Sequence, residues 1–195
     1  MNEVPSSADA SNDALSHPTP AASPAAPLHP PEVWLRGAIS GVPPHLQPVA
    51  HSLLQCREDV HALLPKLTVA QLIERPNDAA SISYHLRHAV GALDRLTTYA
   101  RDESLTEEQL HALAHEKEED PSPHLGLRLR ASFDNAVERA LAQLRQAPEE
   151  GLLDVRLVGR AHLPSTVLGL LFHAAEHTQR HVGQAVTTAK ILRGP

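Results

Sequence analysis

From Leu163 to about Leu192 the chain repeats apolar residues every three or four positions, enough for one long helix. Three histidines, His173, His177 and His181, stand four apart inside it. An α-helix turns about 100° per residue, so positions four apart lie about one turn up the same face. Two imidazoles placed this way can aim nitrogens at one ion, and a third donor must come from elsewhere. The segment Tyr84-His85-Leu86-Arg87-His88, on an earlier apolar stretch, is the obvious source. The pattern predicts a bundle that holds a metal between two helices.

The rest of the chain supplies the other helices. From about Leu46 to Leu64, Val49, Leu53, Cys56, Val60 and Leu63 recur at spacings of three and four, with Pro48 fitting the first turn and Pro65 stopping the helix. A short piece, Val69 to Ile73, leads to the turn Arg75-Pro76-Asn77-Asp78, after which Asp78 or Ser81 can cap a second long helix. That helix runs to about Ala100 on a stripe of Ile82, Leu86, Ala89, Leu93, Leu96 and Ala100, a heptad-like rhythm suited to small crossing angles. Thr106-Glu107-Glu108-Gln109 matches a capping box and opens a short helix. The run Glu116-Lys117-Glu118-Glu119-Asp120 that follows reads as a solvated surface. Ser122-Pro123 opens a third long helix, with Leu125, Leu129, Phe133, Ala136, Ala140 and Leu144 on one side until Pro148 ends it. Val155 to Leu163 is a connector that can be extended, and Leu163-Pro164-Ser165 starts the fourth long helix. No alternating strand pattern competes anywhere, so the expected class is all-α: four long helices with short ones in the connections.

Composition narrows the function. The 195 residues suit one compact domain, expected over 32–195, and a tail over 1 to about 31 rich in Pro, Ala and Ser that cannot bury enough apolar surface to offset chain ordering. Trp34, the single tryptophan, is expected to cap the core from the side. A net charge of −6 and 3% aromatic residues argue against a nucleic-acid surface. No stretch approaches the roughly 20 apolar residues of a membrane span. The N-terminus lacks the basic start and apolar core of a secretory signal, and the lone Cys56 suits a reducing compartment, so a cytoplasmic location is expected. Cys56 itself reads as a small core residue.

A helical wheel tests the histidine ladder. With His177 at zero, His173 falls near −40° and His181 near +40°, with Leu170 and Gln184 close by, while Glu176, Gln179, Arg180 and Lys190 flank or oppose them. The histidines are therefore expected to face the core, where stacked neutral imidazoles rarely satisfy both nitrogens without an ion or a wet cavity. On the second helix His85 lies about 60° off Ile82 and His88 about 120° off, and the wheel does not choose between them as the third donor. Arg95 and Tyr99 lie within about 20° of the direction of His88, where packing or orientation of an anionic substrate are both open.

The sequence Ser81-Ile-Ser-Tyr-His-Leu-Arg-His88 resembles a pattern in which a serine at the start of the second helix is followed seven positions later by a metal histidine. Likewise, His173-Ala-Ala-Glu-His177-Thr-Gln-Arg-His181-Val-Gly-Gln184 resembles the last-helix signature of the DinB-like (DinB/YfiT) metalloenzyme family. The likeness covers roughly residues 32 to 193. It implies an up-down-down-up four-helix bundle, commonly a bacterial homodimer, holding a divalent ion on His88, His177 and His181, with His173 as an accessory and His85 left beside the site. Family members with known activity include transferases and isomerases that use low-molecular-weight thiols.

Three neutral ligands leave an ion's dipositive charge in place and a coordination position open, which eases loss of a proton from a bound water or thiol. Zinc is favoured by availability, with nickel or iron as alternatives. There is no G-x-S-x-G elbow, no G-x-x-x-x-G-K loop and no H-E-x-x-H. The expectation is a metal-dependent small-molecule hydrolase or thiol-dependent transferase. Its rival is a non-catalytic, stress-related or interaction bundle whose metal is structural or adventitious, the site then being closed by a fourth protein ligand such as His173.

Overall fold

The computed structural model describes residues 30–194, and the tail expected over 1 to about 31 lies outside them as far as residue 29. Four long helices form the body: α1 (Gln47–Leu63), α3 (Ile82–Ala100), α5 (Leu125–Gln146) and α6 (Val167–Arg193). Two short ones, α2 (Val69–Ile73) and α4 (Glu107–Ala114), sit in the connections. Among the described residues no helix is long and apolar enough to cross a membrane.

The helix starts follow from side-chain caps. Thr68 and Thr106 each form a complete capping box, with Gln71 and Gln109 respectively, and the Ser81 hydroxyl accepts from the Tyr84 amide at the head of α3. Of the two caps open from sequence for α3, the serine is the one used. Each long helix buries one stripe. Val49, Leu53, Cys56, Val60 and Leu63 are buried on α1, and Leu125, Leu129, Phe133, Ala136, Ala140 and Leu144 on α5, where Val137 and Leu141 join them. Burial pushes the Cys56 thiol up to about 12, so it is a neutral packing group.

Cross-helix contacts give the direction of each helix. His61 and Arg57 of α1 meet Asp134 and Glu138 of α5, so these two run antiparallel. His85 and His88 of α3 meet His181 and His177 of α6, again antiparallel. In contrast, Asp94 and Arg101 of α3 meet Arg139 and Gln143 of α5 in the same order, so that pair is parallel. The result is the up-down-down-up bundle that the family resemblance implies, with α3 packed between α5 and α6.

Two expectations fail near the bundle's ends. The fourth long helix begins at Val167, because Leu163–Thr166 form a strand, β2, paired antiparallel with β1 (Val155–Val158) in the register Val155↔Thr166 to Val158↔Leu163. Pro164 disfavours helical backbone at Leu163, Val155-Arg-Leu-Val158 alternates exposed and half-buried positions, and positive φ at Gly159 and His162 closes the turn. Thr166 then caps α6 through the Gly169 amide. Trp34 does not cap the core either: it is 61% exposed and its indole N–H donates to Glu32. Only one side of the short 3-10 turn Val33–Arg36 faces the body, and Val33 occupies it.

Candidate metal centre

The site lies on the seam between α3 and α6. On α6 the buried residues Leu170, Leu171, Ala174, Ala175, Thr178, Val182, Ala185, Thr188 and Ala189 centre about 90° away from His177 on the wheel. The ladder therefore runs along the edge of the core face and not down its middle. His181 lies nearest that face and is half-buried with His177, while His173 points outward, its side chain 50% exposed and 3.3 Å from Glu176. The expectation that all three face the core is corrected for His173, whose ring stands 5.4 Å from that of His177 but is not among the three whose nitrogens converge.

One nitrogen each from His88, His177 and His181 fall within 4.8 Å of one another. His88 Nε2 is 3.0 Å from His177 Nε2, and the His181 ring lies 4.5 Å from that of His88 and 4.6 Å from that of His177, centroid to centroid. His85 belongs to the buried stripe of α3, and its Nδ1 is 3.1 Å from His181 Nδ1. It stands beside the trio, touching it through one ring. The choice between His85 and His88 that the wheel leaves open is a difference of layer: His85 is buried, whereas His88 sits at the more open rim with Tyr84 stacked nearly parallel to its ring.

Electrostatics favour neutral rings. Burial, then the cost of a second charge beside His88, His177, His85 and Arg180, pushes His181 down to about 4. His177 is lowered by burial first and then by His88, His173 and Arg180, and His85 by burial and His88. The lone pairs of His181 are thus available well below neutral pH. The Nδ1 atom of His177 is buried and finds no hydrogen-bond partner among the described residues. Clustered imidazoles whose ring nitrogens face one another fit a divalent cation of the zinc class, which favours imidazole ligands.

The acidic run reads differently in three dimensions. Glu116 is only 9% exposed, and its carboxylate accepts from His88 Nδ1 at 2.8 Å and from Arg95 at 2.5 Å. Burial is the largest influence on Glu116 and acts upward, but the hydrogen bonds from His88 and Arg95 outweigh it and hold the carboxyl below its ordinary value. Glu119 accepts from the hydroxyls of Ser81 and Ser83 and from Arg87. The reading of residues 116–120 as a solvated surface is therefore corrected for Glu116, while Lys117, Glu118 and Glu119 are exposed as expected. A composition-based reading sees only a charge run. The signal that separates its members is the count of cations on the facing helix, Arg87 and Arg95, whose charges require partners once half-buried. Arg95 accordingly neither packs at a surface nor faces open solvent, and Tyr99 packs partly buried against the core.

Residues 52–185, more than half of the chain, match the family model of the DinB superfamily. A crystal structure of a conserved protein from Enterococcus faecalis shares the fold with a TM-score of 0.63 and 20% identity, covering 77% of this chain and 98% of that one. No protein of curated function matches the sequence.

Proposed function

This chain belongs to the DinB superfamily, and from that premise we propose that it holds one divalent ion, zinc first by availability, on His88, His177 and His181 and acts there on a small molecule. The reading places it as a metal-dependent hydrolase or a transferase that uses a low-molecular-weight thiol. The observation that carries it is the convergence of three imidazoles from two helices within 4.8 Å, with burial pushing the pKa of His177 and His181 down. A divalent ion on three neutral ligands supplies a Lewis acid that lowers the pKa of a bound water or thiol.

The chain's own residues account for the rest. His177 and His181 are held four positions apart by the rigid backbone of α6, so their spacing needs no loop to maintain it. His88 comes from the antiparallel α3 at the height of His177, and His85 packs behind His181 from one turn earlier. The outward turn of His173 toward Glu176 favours an open site over one closed by a fourth histidine. Exposed apolar side chains near the other end of the seam, Phe172 on α6 with Leu157 and Leu163 on the hairpin, support assembly as a homodimer through packing.

The test is a screen of zinc-loaded, tag-free protein for transfer of small thiols to electrophiles and for ester or amide hydrolysis, with His177→Ala as control. Turnover that disappears in the control supports the enzyme reading. Turnover that survives it places the activity outside this site, and no turnover with any thiol or ester moves the assignment to a non-catalytic binding or interaction bundle.

A further inference from the structure

Glu116 follows α4 in a connection, yet its carboxylate reaches the centre of α3. Its Oε2 lies 2.8 Å from His88 Nδ1 and its Oε1 2.5 Å from Arg95 Nη1. An ionised carboxylate only accepts, so the one proton of a neutral His88 must sit on Nδ1. Nε2 is then bare, and it is this atom that faces His177 at 3.0 Å. The arrangement needs room on α3: a Cβ on Gly91 would fall 2.5 Å from Glu116 Oε1 and 2.7 Å from Arg95 Nη1. A glycine in the interior of a long helix weakens it relative to alanine, and here its missing side chain is the space the ion pair fills.

We propose that Glu116 is a positioning residue for the three-histidine site: it fixes the ring orientation and the Nδ1-protonated tautomer of His88, so that Nε2 presents its lone pair to a divalent ion. Arg95 anchors the carboxylate, and Gly91 admits it. The role rests on His88 being a ligand. Neutral imidazole in water prefers no such fixed orientation, and a carboxylate behind a ligating histidine both selects the tautomer and raises the ring's basicity toward the metal. It is the geometry expected when the donor furthest from the rigid α6 pair has to be held by something other than its own helix.

The experiment uses the tag-free full chain stripped of metal. Long-range nitrogen–proton correlations of the histidine side chains, recorded without metal at about pH 9 so that the rings are neutral, report the His88 tautomer. Co2+ titration, followed by its ligand-field absorption, reports affinity. The parent is expected to show His88 protonated on Nδ1. Glu116→Ala should shift it toward Nε2 protonation and weaken Co2+ binding by about 10- to 100-fold. Glu116→Gln keeps an acceptor oxygen and should recover part of that loss. Gly91→Ala should weaken binding in the same direction without lowering the melting temperature, a combination that a merely structural Glu116 would not give. Glu118→Gln, two residues away and exposed, should change neither readout. A parent that binds Co2+ together with a Glu116→Ala variant that binds it equally well overturns this role alone. A parent that binds no Co2+ overturns the metal reading of the site and this role with it.

Discussion

Two seams of the bundle carry half-buried histidines, and they differ in what each ring meets. Between α1 and α5, His61 Nε2 lies 2.6 Å from Asp134 Oδ1, while Arg130 reaches the other nitrogen at 3.5 Å. Both sides of that ring are satisfied, one by an acceptor and one by a donor, and Arg57 with Glu138 repeats the ion-pair pattern one turn away. Between α3 and α6, His177 and His181 meet other imidazoles, and His177 Nδ1 meets nothing among the described residues. A histidine in a helix seam is therefore no sign of a metal site in itself. The distinguishing feature is a set of imidazole nitrogens that face one another instead of a carboxylate or a guanidinium, gathered where burial disfavours protonation.

The sharpest way to break this contrast is to remove rings from each seam and measure metal. His177→Ala or His181→Ala should abolish zinc binding in equilibrium dialysis, whereas His61→Ala should leave it intact. Equal occupancy in all three variants would erase the distinction between the seams. The next largest effect separates the two layers on α3. His88→Ala should lose the metal and His85→Ala much less, since His85 touches the trio only through His181. The reverse ranking would make the buried ring the ligand.

A smaller effect tests the electrostatics without metal. His181 is lowered from 6.5 to about 4 in the folded chain, so below 6.5 the unfolded chain takes up a proton that the folded one refuses. The stability of the metal-free protein should be full above pH 6.5 and should decline as the pH falls toward 4. Denaturant midpoints across that range should fall less steeply in His181→Ala than in the parent, and identical slopes would contradict the burial of this ring. The smallest expected change is on the ordinary seam: Asp134→Asn, at a pair about one-third exposed, should cost only about 0–1 kcal/mol in chemical denaturation. A much larger loss would show that the α1–α5 seam is more than an ordinary surface pair.

The bundle was legible because apolar spacing is a local signal. Val49 through Leu63 and Leu125 through Leu144 announce their buried faces without knowledge of any partner. The pairing of His177 with His181 was legible for the same reason, since one rigid helix sets it. What sequence concealed depended on other elements. The true centre of the α6 core face, which turns His173 outward, is set by where α1 and α3 pack. The buried carboxylate of Glu116 is invisible in a run of like charges, because its partners His88 and Arg95 lie more than twenty positions away. The β1–β2 hairpin was masked by Leu163-Pro164-Ser165, a helix-start pattern that also suits the extended backbone before a proline.

The most direct test of the central claim is X-ray absorption at the zinc edge of the parent chain, purified without a histidine tag or nickel resin and analysed for bound metal. The expected result is about one zinc per chain, with a shell of three imidazole nitrogens at about 2.0–2.1 Å and one further light-atom ligand. No bound zinc, or a sulfur shell near about 2.3 Å that would require Cys56 to leave the core, would contradict a site built from His88, His177 and His181.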